Sequence, residues 1–402
     1  MSRNPRKSKA KKPKRKGLNI VLYILGLLVF QELIFRWLFP LPDLANFNRV
    51  EFQATGNMQP TSANYVRKVD MHWRSTPDTN ATFHYLMNAY GFRDKDWDLE
   101  KSSGTDRIMF IGDSFVEGMM VEEEKNIPST FEALATADGR SVETMNLGMM
   151  GVGVPHYKSL MYNALPKFNP DEVILVLYAN DVAIDNETGI RGIKFTSYSS
   201  TRPRLLELFD MAGRKEPLPF RWHIREDSFY KPVPSPQNPW TTNEQEYRQY
   251  VTPQIAEAMK AADFNYFRIN WVQQEQNYLR AKVDLGKDLG IFKKLADQNN
   301  TPLRIVYIPS RHQVTNYYYQ FERKCCLTCP GMIDMTGPEY QVHAAMLAQR
   351  CQQLGLPFLD LTPLVKSAED TENHLYWDYD DHMRGKGYQM MAREIYRWAA
   401  EK

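Results

Sequence analysis

The sequence predicts an α/β fold of three layers, α/β/α, around a five-stranded parallel sheet. Five short apolar runs, Ile108–Ile111, Val142–Met145, Val173–Tyr178, Arg304–Ile308 and Phe358–Leu361, have the length and character of buried strands. Helix-like stretches separate most of them, including Pro128–Ala137, Pro155–Leu165 and Pro338–Gln353. Strands alternating with helices pair in parallel and are covered on both faces. A final helix from about Lys386 places Tyr388, Met391, Ile395 and Trp398 on one side, a core-facing stripe.

Four stretches of different character make up the chain. Residues 1–16 are a basic arm with nine Lys/Arg and no acid. Residues 17–40 read as a transmembrane signal anchor, since 17–39 alone would span roughly 34 Å as a helix. The basic flank predicts a cytoplasmic N-terminus, with the remainder periplasmic or extracellular. A cleaved signal sequence is the alternative, although no Ala-x-Ala site stands near residue 40. Glu32 and Arg36, four apart near the far end, are placed to pair or to reach the interface. Residues 41–104 are an extracytoplasmic lead-in, and 105–402 form the main domain.

An insertion of about 185–300 separates the third and fourth strands. It opens on an irregular stretch with six prolines in 217–239. Helix-like sequence follows over 253–297, with Ile269, Val272, Leu279, Val283 and Leu285 among its apolar positions. This is a cap beside the site or scaffolding. Oligomeric state has no signature in the sequence.

Composition narrows the class. Aromatic residues at 12% and charged residues at 24% are ordinary for a globular chain. The net charge of +2 hides an asymmetry, because without the arm 41 basic residues face 48 acidic ones. A main body near −7 argues against a nucleic-acid partner. Cys325, Cys326 and Cys329 crowd together, with Cys351 apart. Outside the cytoplasm two disulfides are the plain expectation. A zinc site helped by His343 is the alternative, but the paired Cys-x₂-Cys sets are missing. No metal or other cofactor is expected.

The chemistry-bearing signal is Gly112-Asp113-Ser114 directly after the first apolar run. Open α/β sheets keep their chemistry at the carboxyl ends of strands. Far along the chain comes Asp378-Tyr379-Asp380-Asp381-His382. A serine, a late histidine and a nearby acid are the parts of an acyl-transfer site. Val116 replaces the second glycine of Gly-x-Ser-x-Gly, which argues against an α/β-hydrolase elbow. Asn146-Leu147-Gly148-Met149-Met150-Gly151 closes the second run, and Tyr178-Ala179-Asn180-Asp181 closes the third.

In this order, these four segments resemble the sequence blocks of the SGNH (GDSL-type) hydrolase superfamily. The lead-in Asn88-Ala89-Tyr90-Gly91-Phe92-Arg93-Asp94 is similar to bacterial members. The likeness runs over roughly residues 85–402 and implies an SGNH, flavodoxin-like sheet. It implies Ser114 as nucleophile and His382 as general base. It also implies an oxyanion hole made of the Ser114 N–H, the Gly151 N–H and the Asn180 amide. The family's acid stands two or three residues before the histidine. Tyr379 occupies the longer spacing, so Asp380 is the choice, with Asp381 and Asp378 open.

The implied activity is that of a membrane-anchored serine esterase acting on acyl esters, acetyl foremost, of a carbohydrate or lipid. An O-acetyltransferase of an envelope polysaccharide and a lipase or lysophospholipase remain open beside it. So does a non-enzymatic module for polysaccharide binding or assembly. Bland roles compete at each position. Ser114 can be a helix N-cap, Asn180 can satisfy a loop, and Gly151 can be a turn glycine. Asp113 reads as a turn residue holding the serine loop. His374 is a competing base, and His156 reads as structural.

Overall fold

The computed structural model describes residues 15–39, 68–74, 80–86, 88, 90–182, 203–213, 283–319, 334–369, 374–377 and 380–401. The first helix, α1 (Arg15–Leu38), contains a 20-residue stretch, Asn19–Leu38, long and apolar enough to cross a membrane. A signal sequence passes the same test. Strands β1 (Lys68–Arg74) and β2 (Asn80–Leu86) form an antiparallel pair.

The main domain starts with β3 (Asp106–Gly112), then a single turn α2 (Ser114–Glu117) and α3 (Ile127–Ala137). Next come β4 (Val142–Gly148), α4 (Val154–Phe168) and β5 (Glu172–Tyr178). Helix α5 (Arg204–Gly213) precedes α6 (Gly286–Gln298) and β6 (Leu303–Ile308). The chain closes with α7 (Arg311–Val314), α8 (Val342–Leu354), β7 (Phe358–Asp360) and α9 (Thr362–Ala368). A small antiparallel pair, β8 (Tyr376–Trp377) and β9 (Asp380–Met383), leads into α10 (Gly385–Ala400).

All five expected strands form one sheet in the order β4-β3-β5-β6-β7, each neighbouring pair parallel. They were legible because helices cover both faces, so almost every side chain from Ile108 to Ile111 and from Val173 to Tyr178 is buried. The chain steps from β3 to β4 in one direction and from β4 past β3 to β5 in the other. Right-handed crossovers therefore put the connecting helices on opposite faces. Helices α3 and α10 pack together on one side, and α4, α6 and α8 pack on the other. In α10, Tyr388, Met391 and Ile395 are buried as the periodicity predicts. Trp398 is only partly buried, beneath the Arg304 guanidinium at 5.1 Å.

Two expectations change. Helix α6 is a core crossover helix, with Leu289, Phe292, Leu295 and Ala296 buried and Asp288 paired to Lys158 at 2.6 Å. The sheet domain therefore resumes before the expected insertion end near residue 300. Leu285 is buried and Val283 partly so, whereas Ile269, Val272, Leu279 and the proline-rich stretch lie outside the described residues. The second change concerns Cys351. It is a buried free thiol, its pKa pushed up to about 12 by burial, so two disulfides from four cysteines do not form. Helix α8 faces the sheet with that residue and seals it in the core. Cys325, Cys326 and Cys329 lie outside the described residues.

Candidate active site

The site lies at the carboxyl ends of β3, β4 and β5, where the strand order reverses direction. Such switch points leave a crevice above the sheet. Ser114 is the first residue of α2, and the Asp113 carboxylate accepts the Phe115 N–H at 2.9 Å. Asp113 thus caps the turn that presents the serine, as its turn role predicts. The capping is done by Asp113, so the Ser114 hydroxyl is left for another partner. That partner is His382, whose Nε2 lies 2.6 Å from Ser114 Oγ. The two residues stand 268 positions apart in sequence, and both are buried. Phe115 stacks on the imidazole at 5.1 Å and on Tyr178 at 4.2 Å, fixing the ring plane. The Tyr388 hydroxyl donates to Met119 O at 3.0 Å, tying the histidine's side of the chain to the serine's.

Among the carboxylates, Asp381 Oδ1 stands 3.5 Å from His382 Nδ1, an ion-pair distance longer than an ordinary hydrogen bond. Asp380 is in β9, opposite Trp377, with its side chain outside the described set, and Asp378 lies outside the described residues. His374 is held elsewhere, its Nδ1 2.9 Å from Glu369 Oε1 and its ring stacked on Tyr317 at 3.6 Å. His156 sits in the first turn of α4.

Three groups that could bind an anionic oxygen end the strands. The Ser114 N–H and the Gly151 N–H have no protein acceptor among the described residues. Gly151 has a φ of 73°, a left-handed conformation that favours glycine. Asn180 lies two residues past the end of β5, and its Oδ1 is buried without a donor among the described residues. The loop after β4 is stitched to α2, with the Met149 N–H donating to Gly112 O at 3.2 Å and the Met150 N–H to Glu117 Oε2 at 2.6 Å. A Cβ on Gly148 would come within 2.1 Å of the Glu117 nitrogen, so only glycine lets this loop close on the serine turn.

Several supporting residues were not read from the sequence. Asp181 Oδ2 accepts the Tyr178 N–H at 2.9 Å and the Tyr157 hydroxyl at 3.1 Å, which fixes the turn carrying Asn180. Burial drives its pKa well above the carboxylate range, and the Asp113 charge adds to the shift. Asp113 is itself raised to about 7, chiefly by burial and against the pull of the Phe115 N–H and His382. Arg93 is fully buried and donates to Gly118 O and, at 2.6 Å, to Val121 O. Asp94 Oδ2 accepts the Asn146 N–H at 2.8 Å and the Trp97 indole N–H at 2.7 Å. Asn146 in turn accepts the Gly148 N–H at 2.9 Å. The signal for Arg93 and Asp94 was present in the lead-in motif, but the partners that tie them to the site, Gly118, Val121 and Asn146, lie 25 to 53 residues away.

Asp94 gives a pH prediction. Burial raises its pKa from 3.8 to about 7 in the folded chain. Between those values the folded state holds a proton that the unfolded state has released, so stability falls as pH rises. Urea midpoints are expected to drop between pH 4 and pH 7 and then level off, with Asp94→Asn flattening that slope. An identical slope in the variant would reject this origin.

No family model matches the chain, and no curated protein matches it. Solved structures give similarities. A Clostridium thermocellum family 3 carbohydrate esterase is 16% identical, covering 74% of this chain and 99% of its own, at a TM-score of 0.35. The acetyl xylan esterase AlAXEase is 11% identical, covering 74% and 100%, at 0.36. A lipase/acylhydrolase from Enterococcus faecalis is 14% identical, covering 73% and 94%, at 0.36. The site's own geometry is what bears on its chemistry: a buried serine hydrogen-bonded to a histidine, beside two backbone N–H groups with no acceptor among the described residues.

Proposed function

We propose that the chain is a membrane-anchored, extracytoplasmic serine esterase of SGNH type that cleaves small acyl esters, acetyl foremost, on a carbohydrate or lipid. One observation carries this reading: the Ser114 hydroxyl lies 2.6 Å from His382 Nε2 at the carboxyl end of a central parallel strand. A serine hydroxyl becomes a competent nucleophile when a neighbouring base takes its proton. An imidazole titrates near neutral pH, so it can accept that proton and return it to the leaving alcohol.

In the proposed cycle, Ser114 Oγ attacks the ester carbonyl as its proton passes to His382 Nε2. The Ser114 N–H, the Gly151 N–H and the Asn180 amide stabilise the oxygen that becomes negative. Collapse breaks the bond to the alcohol, which leaves with the proton from His382. Water then repeats the sequence on the acyl-serine and releases the acid. Asp380 holds the imidazole's tautomer, and Asp381 adds a second negative charge beside the imidazolium. Asp380→Asn is expected to lower kcat more than Asp381→Asn or Asp378→Asn. If Asp381→Asn proves the most damaging, the orienting acid is Asp381.

The test is covalent capture. An alkyl fluorophosphonate ester, which loses fluoride from phosphorus as Oγ bonds to it, is expected to label the full chain once, at Ser114, and to leave Ser114→Ala unlabelled. Labelling elsewhere, or equal labelling of both proteins, overturns the reading. Acetylated glycans and phospholipids are then compared as substrates, with faster release of acetate from the glycans expected.

A further inference from the structure

Helix α5 reaches back to the apolar N-terminal helix. Both Glu32 carboxylate oxygens accept the Arg204 backbone N–H at 2.9 Å, and Arg36 Nε donates to Glu32 Oε1 at 2.7 Å. A carboxylate in an apolar span is costly unless paired, and here it is satisfied from both sides. Glu32 lies six residues before Leu38, about 9 Å along the axis from the end of the span. The start of α5 is therefore fixed at the depth where a bilayer passes from acyl chains to headgroups. Trp37, 55% exposed on α1, is of the type that settles at that level.

The faces of α5 are divided accordingly. Arg204 and Leu208 are buried. Leu206 and Phe209, three residues apart and so on one face, are 48% and 65% exposed. Helix α5 packs against α1, whose Leu33 and Ile34 are also exposed, so the apolar side chains of both helices collect at one end of the anchor. An amphipathic helix at an interface buries its apolar face about 5–10 Å into the headgroup–acyl boundary. The position of Glu32 matches that depth.

We propose that α5 is a membrane-interface helix, held at its N-terminus by Glu32, with Leu206 and Phe209 inserted into the lipid surface that α1 crosses. The proposal rests on reading α1 as an anchor. It gives the main domain a second attachment, between β5 and β6.

The test uses the full chain in nanodiscs whose phosphatidylcholine carries bromine at carbons 6 and 7 of one acyl chain, with unbrominated lipid as reference. Phe209→Trp and, independently, Leu206→Trp add fluorescence to that of the wild type. Bromolipid is expected to quench the added signal roughly twofold or more, as shallow insertion requires. Tyr162→Trp, at a 51% exposed position on α4, is expected to add a signal that bromolipid leaves unchanged. Unquenched emission at both 206 and 209 overturns the proposal: red-shifted emission would show water there, and blue-shifted emission a protein cover such as another part of the chain or a second copy. A carbonate wash separates the two levels. Retention in the membrane with unquenched tryptophan removes only the interface helix, whereas release of the chain removes the anchor and the interface helix together.

Discussion

Replacing Ser114 by alanine is expected to lower kcat/KM for an aryl acetate by at least about 10³-fold while leaving the melting temperature nearly unchanged. The two halves of that result have separate causes. The activity depends on Oγ, the one atom lost, because the proton that His382 Nε2 accepts is no longer there. The fold does not depend on Oγ. Helix α2 is capped by Asp113 through the Phe115 N–H, and its backbone is held by the Arg93 bond to Gly118 O. Among the described residues, the hydroxyl's hydrogen bond to the imidazole is the only side-chain bond it makes. The Ser114, Gly151 and Asn180 donors also remain, so residual turnover above the solvent rate is expected. Full activity in Ser114→Ala would reject the nucleophile, whereas a collapsed melting temperature would mean that the loss reports unfolding.

Asn180→Ala is expected to cost about 10²–10³ in kcat with KM little changed, the behaviour of a donor that engages the oxygen only as it becomes negative. The turn itself should survive. Asp181 fixes it through the Tyr178 N–H and the Tyr157 hydroxyl, and the Asn180 side-chain oxygen takes no scaffold donor among the described residues. Asn180→Ala should still react with the phosphonate at Ser114, more slowly. A rise in KM at constant kcat would make Asn180 a substrate-binding group instead.

The sheet was readable because its central strands, β3, β5 and β6, are buried on both faces and so appear as nearly unbroken apolar runs, while Pro, Gly and Asn mark the breaks between runs. The positions at strand ends were readable for a related reason. A serine, a glycine and an asparagine each stand two or three residues past the end of a strand, so local sequence places them at one edge of the sheet. What local sequence does not carry is pairing over distance. Arg93 reaching Gly118 and Asp94 reaching Asn146 depend on how the lead-in wraps the sheet. Cys351 looked like half of a disulfide because cysteine type and compartment were all that could be read. Its place on the inner face of α8 decides otherwise. The acid was ambiguous because three aspartates crowd within four residues of His382, and spacing alone cannot rank carboxylates that differ by one position.

A crystal structure of the phosphonate adduct tests the central claim most directly. The account predicts phosphorus bonded to Ser114 Oγ, with the phosphoryl oxygen about 2.7–3.1 Å from the Ser114 nitrogen, the Gly151 nitrogen and Asn180 Nδ2. His382 Nε2 should remain within hydrogen-bonding reach of Oγ. Phosphorus on a different residue, or a phosphoryl oxygen turned away from all three donors, would contradict it.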